Sequence, residues 1–304
     1  MTTTKSYEIL NTSWEDPTPE QPRKYPAILS VIQFLFGTIG RISPKTAGKV
    51  AYKLFSTPTS RARHKASDEI LETAQLFEFM YGRQILKGYE WGKGDKTILL
   101  VHGWESRGTG LRTFVPKLVR AGYRVVAFDG PAHGNSSGKQ TNLPHFAGAV
   151  AAAIHHLGEV YGIITHSFGG ATTAFAMAHI DSNISVKKLV FIAVPSKLES
   201  VLRTATKQLN LPSNAANAFV DIIQKKLNGI PMAETDVAKI GQKVKAKDVL
   251  LVYDKTDPII RFDNAEAIFN SWNNANLLAT EGHGHYRIMK NPDVIDRVCW
   301  FVNG

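Results

Sequence analysis

The sequence predicts an α/β protein: a mostly parallel central sheet flanked by helices, with a helical N-terminal region and an inserted helical lid. Three observations carry that expectation. From Gln84 onward, short apolar runs alternate with helix-like stretches, the grammar of parallel strands joined by crossover helices. The runs are apolar throughout rather than at every second residue, as burial on both sheet faces requires. Between the fourth and fifth runs, Ser196 to Lys247 holds Pro212, Pro231 and helix-like patches but no strand-like run.

Along the chain, residues 1–25 read as a polar, proline-containing lead-in with little to bury. Pro26 suits the first turn of a helix, and Ser43-Pro44 repeats a cap-then-proline signature. Behind it Ala47, Val50, Ala51, Leu54 and Phe55 fall at helical spacing. Ser67-Asp68-Glu69 marks a third helix start, feeding a helix expected to carry Ile70, Leu71, Ala74, Phe77 and Met80. Gln84 to Trp91 is a candidate antiparallel edge strand. The parallel strands follow as Thr97 to Val101, Arg124 to Phe128, Gly162 to Thr165, Leu189 to Ala193, Val249 to Tyr253 and Ala275 to Ala279. In the insertion, Val201 to Leu209 and Ala215 to Leu227 read as helices. The expected organisation is a lead-in and helical region over 1–82, a core over 83–195 and 248–304, and a lid over 196–247.

With 43% apolar and 20% charged residues among 304, the composition is that of a soluble globular protein. The lone Cys299 sits in Val298-Cys299-Trp300-Phe301-Val302 and reads as packing; it excludes an internal disulfide and suits a reducing compartment. Met1 to Asp16 lacks the basic start and apolar stretch of a signal peptide. Ala27 to Phe36 is shorter than the roughly 20 residues a bilayer span needs. A cytoplasmic protein without a transmembrane segment is expected, and Ala27 to Phe36 is read as a core-packed helix before an interfacial anchor. The formal charge of +10 is densest in Ser196 to Lys247, with nine basic residues against four acidic. No zinc-finger spacing, RNP-type strand or KH loop accompanies it, so nucleic acid is not an expected partner. The histidine pair His155-His156 is expected to divide between core and surface, and no metal site or cofactor is expected.

The chemistry concentrates at four strand ends. Gly162 to Thr165 runs into His166-Ser167-Phe168-Gly169-Gly170 and then into Ala171-Thr172-Thr173-Ala174. A serine between strand and helix, beside glycine, is the nucleophile-elbow arrangement, although Thr165 stands where its first glycine belongs. A nucleophilic serine needs a base, and the base an orienter. Asp257, in Asp254-Lys255-Thr256-Asp257-Pro258, is the favoured acid; Asp254 lies nearer the strand and suits a turn-shaping role. His285 and its rival His283 both lie in Gly282-His283-Gly284-His285-Tyr286. Oxyanion donors are expected from the backbone N–H of Phe168 and, after His102-Gly103, of Trp104. Asp129 and His133 are expected to hold the loop after the second core strand.

Val101-His102-Gly103-Trp104, Phe128-Asp129-Gly130-Pro131-Ala132-His133-Gly134-Asn135-Ser136, His166 to Gly170, Asp257-Pro258 and Gly284-His285 arrive in order. Together they resemble the successive signatures of the α/β-hydrolase superfamily, from about Gln84 to the C-terminus. The resemblance implies an α/β-hydrolase fold, a Ser167–His285–Asp257 triad and an oxyanion hole at Trp104 and Phe168. The single glycine in the oxyanion turn is closer to lipase- and thioesterase-like members. The activity so implied is hydrolysis of a small-molecule ester or thioester through an acyl-enzyme on Ser167. Amide hydrolysis, acyl transfer or a non-catalytic binding scaffold share these residues, whereas dehalogenase chemistry lacks its aspartate at position 167. The basic insertion points to an anionic substrate or membrane surface; its plainer reading is a solvated lysine-rich face.

Overall fold

The computed structural model describes residues 5–14, 27–60, 62 and 68–304. A nine-stranded sheet runs in the order β1-β9-β8-β7-β6-β4-β5-β3-β2. Its strands are β1 (Tyr7–Ile9), β2 (Gln75–Tyr81), β3 (Gln84–Trp91), β4 (Thr97–Val101), β5 (Arg124–Phe128), β6 (Gly162–His166), β7 (Ser185–Ile192), β8 (Lys245–Asp254) and β9 (Ala275–Thr280). Only β3 runs antiparallel, against both β2 and β5. The expected parallel sheet is therefore present.

Continuous apolar runs form these strands because both sheet faces are covered. Every residue of β4 and of β6 is buried. Successive side chains of a strand point to opposite faces. Leu99 and Val101 accordingly enter a core shared with α5 (Leu143–Leu157), α6 (Phe168–Phe175) and α9 (Asp263–Ser271). Ile98 and Leu100 enter the core beneath α4 (Val115–Arg120) and α11 (Pro292–Asn303), where Cys299 is buried and its thiol pushed up to about 11 by burial.

The N-terminal third departs from the sequence reading in three ways. Residues 1–82 are not only lead-in and helix, because β1 and β2 belong to the sheet. β1 pairs in parallel with β9, Tyr7 opposite Leu277, and covers an edge that would otherwise expose its ladder groups. The expected third helix is a single turn, α3 (Glu69–Glu72), capped by Asp68, with Gln75–Tyr81 a strand beyond it. Phe77, Phe79 and Tyr81 alternate, and such aromatic alternation suits a half-buried strand. Phe79 packs on Phe128 at 5.8 Å and Phe77 on His156 at 5.4 Å. β3 is consequently interior rather than an edge. Pro26 and Ser67, two of the expected helix-start residues, lie outside the described residues.

α1 (Ala27–Ile42) and α2 (Pro44–Ser56) are present. So are two helices of the insertion, α7 (Leu198–Gln208) and α8 (Ser213–Lys226), while its last three residues belong to β8. These four helices share a satellite core of Phe36, Ala47, Ala51, Leu202, Ala215, Phe219 and Ile223. α2 crosses α8 at Gly48, where a Cβ would lie 2.9 Å from the Phe219 backbone nitrogen. Among the described residues, no helix is long and apolar enough to cross a membrane.

Candidate active site

Ser167 links β6 to α6 at φ +52°, a region that costs a non-glycine residue of order 1–3 kcal/mol. The turn is held by its neighbours: Ser167 N–H donates to the Ile192 carbonyl at 2.9 Å, and Gly170 N–H to the Ser167 carbonyl at 2.9 Å. Thr165 fits the first glycine position because its hydroxyl donates to the Val190 carbonyl of β7 at 2.9 Å. The room comes from Gly170, where a Cβ would sit 2.9 Å from that hydroxyl and overlap Val194. A glycine further along the elbow thus compensates for the one replaced.

The structure brings Ser167, His285 and Asp257 into one hydrogen-bonded row. His285, in the short helix α10 (Gly284–Arg287) after β9, places Nε2 3.0 Å from Ser167 Oγ and Nδ1 2.8 Å from Asp257 Oδ2. The other oxygen, Asp257 Oδ1, accepts the amides of Ile259 at 2.7 Å and Ile260 at 2.9 Å. A carboxylate can only accept here, so Nδ1 carries the imidazole proton and Nε2 faces the Ser167 hydroxyl as acceptor. Both His285 and Asp257 are buried, which keeps water from competing for these bonds.

The two rivals are engaged elsewhere. Asp254 accepts Thr256 N–H at 2.9 Å, Thr256 Oγ1 at 2.6 Å, Thr280 Oγ1 at 2.8 Å and His283 N–H at 2.9 Å. Burial would raise its carboxyl, but these donors outweigh burial and hold it below the usual range. His283 Nε2 accepts from Asn291 Nδ2 at 3.1 Å, and burial lowers its pKa.

Trp104 and Phe168 flank the serine, their rings edge to face at 5.4 Å. Neither backbone N–H donates to a group of the described residues. A Cβ at Gly103 would lie 3.1 Å from Ser167 Cβ, so glycine lets the β4 exit pass this close to the elbow without a shift of either. Asp129 and His133 hold the loop after β5, as expected, and also tie it to the β4 exit. Asp129 accepts Tyr89 Oη at 2.7 Å, Gly108 N–H at 2.6 Å and Asn135 N–H at 2.8 Å. His133 Nε2 accepts Glu105 N–H at 3.0 Å, and His102 Nε2 accepts Gly130 N–H at 2.9 Å. Tyr286, 38% exposed, stands edge-on to His285 at 4.9 Å. A surface cleft of about 730 Å³ lined by Tyr81, His145, Gly148 and Lys226 holds none of these residues.

Sequence reasoning missed His166, which is buried directly beneath the row. Its Nε2 lies 3.0 Å from the His285 carbonyl, and the two rings are 4.6 Å apart. The carbonyl only accepts, so His166 donates from Nε2 and fixes the backbone that carries His285. A histidine at the end of a fully buried strand was the available signal. His155 and His156 also differ from expectation, both being exposed. His155 pairs with Asp181 at 2.9 Å, and His156 stacks on Phe77.

Burial, and then the nearby His285, hold the His166 pKa well below the ordinary histidine value. Burial likewise lowers His145, His179 and His283. Such groups take up a proton at lower pH in the folded chain than in the unfolded chain, where histidine protonates near pH 6.5. Their contribution is present above that pH and is lost on acidification. The melting temperature is therefore expected to fall from pH 7 to pH 5, with His166 contributing up to about 1.4 kcal/mol per pH unit. In thermal denaturation His166→Asn should show a shallower pH slope; an unchanged slope contradicts the assignment.

Comparison with known proteins bears on the family and the fold. Residues 98–298 match the alpha/beta hydrolase family. A non-heme haloperoxidase of Rhodococcus erythropolis is 29% identical over 137 residues, 44% of this chain and 48% of that protein. A bifunctional esterase/perhydrolase of Acinetobacter calcoaceticus is 29% identical over 110 residues, 35% of this chain and 40% of that one. The match thus spans about half the length, or less, of these curated relatives. An esterase of Pyrococcus furiosus superposes with a TM-score of 0.60 at 20% identity, over 80% of this chain and 97% of its own. At that identity it speaks to the fold alone.

Proposed function

The chain belongs to the alpha/beta hydrolase family, and we propose that it hydrolyses a carboxylic ester or thioester through an acyl-enzyme on Ser167. The observation that carries the reading is the row from Ser167 Oγ through His285 to Asp257, with contacts of 3.0 and 2.8 Å. In the first half-reaction Ser167 Oγ attacks the acyl carbon while its proton passes to His285 Nε2. Asp257 holds the imidazolium, and the oxyanion rests on the Trp104 and Phe168 amides. Collapse expels the alcohol or thiol, which takes the proton from Nε2. Water, deprotonated by His285, then attacks the acyl carbon; the bond to Ser167 Oγ breaks, Oγ takes the proton back from Nε2, and the acid leaves. α7 and α8 follow the end of β7, beside the elbow, and serve in this reading as the lid; Trp104, Phe168 and Tyr286 give the mouth an aromatic lining for the acyl group.

A panel of p-nitrophenyl esters of graded chain length, with matched acyl thioesters, tests the proposal. Turnover of at least one member, saturable and lost on reaction with a fluorophosphonate, is expected. A folded protein that turns over none of them would point instead to a binding scaffold. The relatives named haloperoxidase and perhydrolase favour a second reading of the same site. Hydrogen peroxide would replace water at the acyl-enzyme, releasing a peracid and restoring Ser167. Adding peroxide to the ester assay, with peracid trapped by a halide-dependent dye, separates the two outcomes.

A further inference from the structure

α1 carries apolar side chains on the side that faces water. Its inner face is already partnered. Phe36 is buried in the satellite core, Gln33 Nε2 donates to the Gln208 carbonyl at 2.8 Å, and a Cβ at Gly40 would lie 3.1 Å from Pro212 Cδ. The outer face should then be polar, as on a helix that packs only on its own protein. Instead Val31, Phe34, Leu35 and Ile42 are 56, 69, 45 and 85% exposed. Their spacing places them along one stripe. Val50 of α2 is exposed as well.

The charged residues of α1 and α2 are of one sign. Residues 27–56 contain Arg41, Lys45, Lys49 and Lys53 and no acidic residue. All four are exposed. Arg41 and Lys45 flank Ile42, and Lys45, Lys49 and Lys53 follow at four-residue steps, which makes a row along α2. An apolar stripe bordered by cations is the pattern of a helix lying in the plane of an anionic bilayer. At 16 residues α1 is too short to span one. A second copy docked on the same stripe would bring two cationic rows together, which like-charge repulsion opposes.

We infer that α1 and α2 dock this protein on an anionic lipid surface. Val31, Phe34, Leu35 and Ile42 enter the boundary between headgroups and acyl chains, and Arg41, Lys45 and Lys49 meet the phosphates. The inference does not depend on the chemistry proposed for Ser167.

Co-sedimentation of the full chain with phosphatidylserine-containing vesicles, and with vesicles of phosphatidylcholine alone, tests it. Binding to the anionic vesicles is expected, weakening with salt, with much weaker binding to the neutral ones. Phe34→Glu with Ile42→Glu should lower partitioning at least about tenfold, and Lys45→Gln and Lys49→Gln about fivefold each. Unchanged melting temperature and soluble-ester turnover in these exposed-site variants would assign the loss to the surface. No binding to anionic vesicles at low salt, equal binding to both kinds, or variants that bind like the parent would overturn the inference. A dimer dissolved by Phe34→Glu in a chain that ignores vesicles would overturn it too, and would assign the stripe to a second copy.

Discussion

Ser167→Ala is expected to lower kcat on the best ester by on the order of 10⁶-fold while leaving the fold intact. Alanine and serine meet the same steric cost at φ +52°, so the backbone strain does not change. The lost bond, at 3.0 Å, is a single hydrogen bond between a half-buried hydroxyl and a buried imidazole, worth only about 1 kcal/mol. What disappears is the atom proposed to attack a carbonyl above the Trp104 and Phe168 amides. His285→Ala should cost about as much, and the double variant little more, because the row acts as a unit. Steady-state kinetics on purified variants, with equal melting temperatures as the control, give the answer. A loss below about tenfold would place the nucleophile elsewhere.

Asp257→Asn is expected to lower kcat by about 10⁴-fold. Asparagine keeps one oxygen for the Ile259 and Ile260 amides, so the loop that Asp257 Oδ1 organises survives. At Oδ2 it turns an NH₂ toward His285 Nδ1, which must then accept. The proton moves to Nε2, and the imidazole can no longer take one from Ser167. Asp254→Asn supplies the contrast. Its Oδ1 serves Thr256 and its Oδ2 serves Thr280 and the His283 amide. An NH₂ there faces donors, at about 1–3 kcal/mol of stability. The first variant should lose turnover at nearly parental melting temperature, and the second should lose melting temperature more than turnover. The reverse pattern would move the acid to Asp254.

The sheet was legible because β4 to β9 are buried on both faces and therefore read as unbroken apolar runs. β2 was not, since Ile70, Leu71, Ala74, Phe77 and Met80 fit a helical period as well as Phe77, Phe79 and Tyr81 fit alternation. Only the pairing with β3 decides between them. β1 is shorter still, and its three residues gain meaning from β9, at the far end of the chain. At the site, the elbow and the strand-end loops were readable because glycine and chemistry-bearing side chains cluster there. Asp254 and Asp257, or His283 and His285, share one loop each, and only their hydrogen bonds separate them. His166 acts through a carbonyl that the fold, not the sequence, brings to it. For α1, periodicity draws the apolar stripe but does not say which side water sees.

The most direct test of the account is covalent. The protein is treated with a fluorophosphonate, digested, and its peptides weighed by mass spectrometry. One adduct on the peptide containing Ser167, absent from Ser167→Ala and slowed in His285→Ala, is the expected result. An adduct on another residue, or equal labelling of Ser167→Ala, would contradict it.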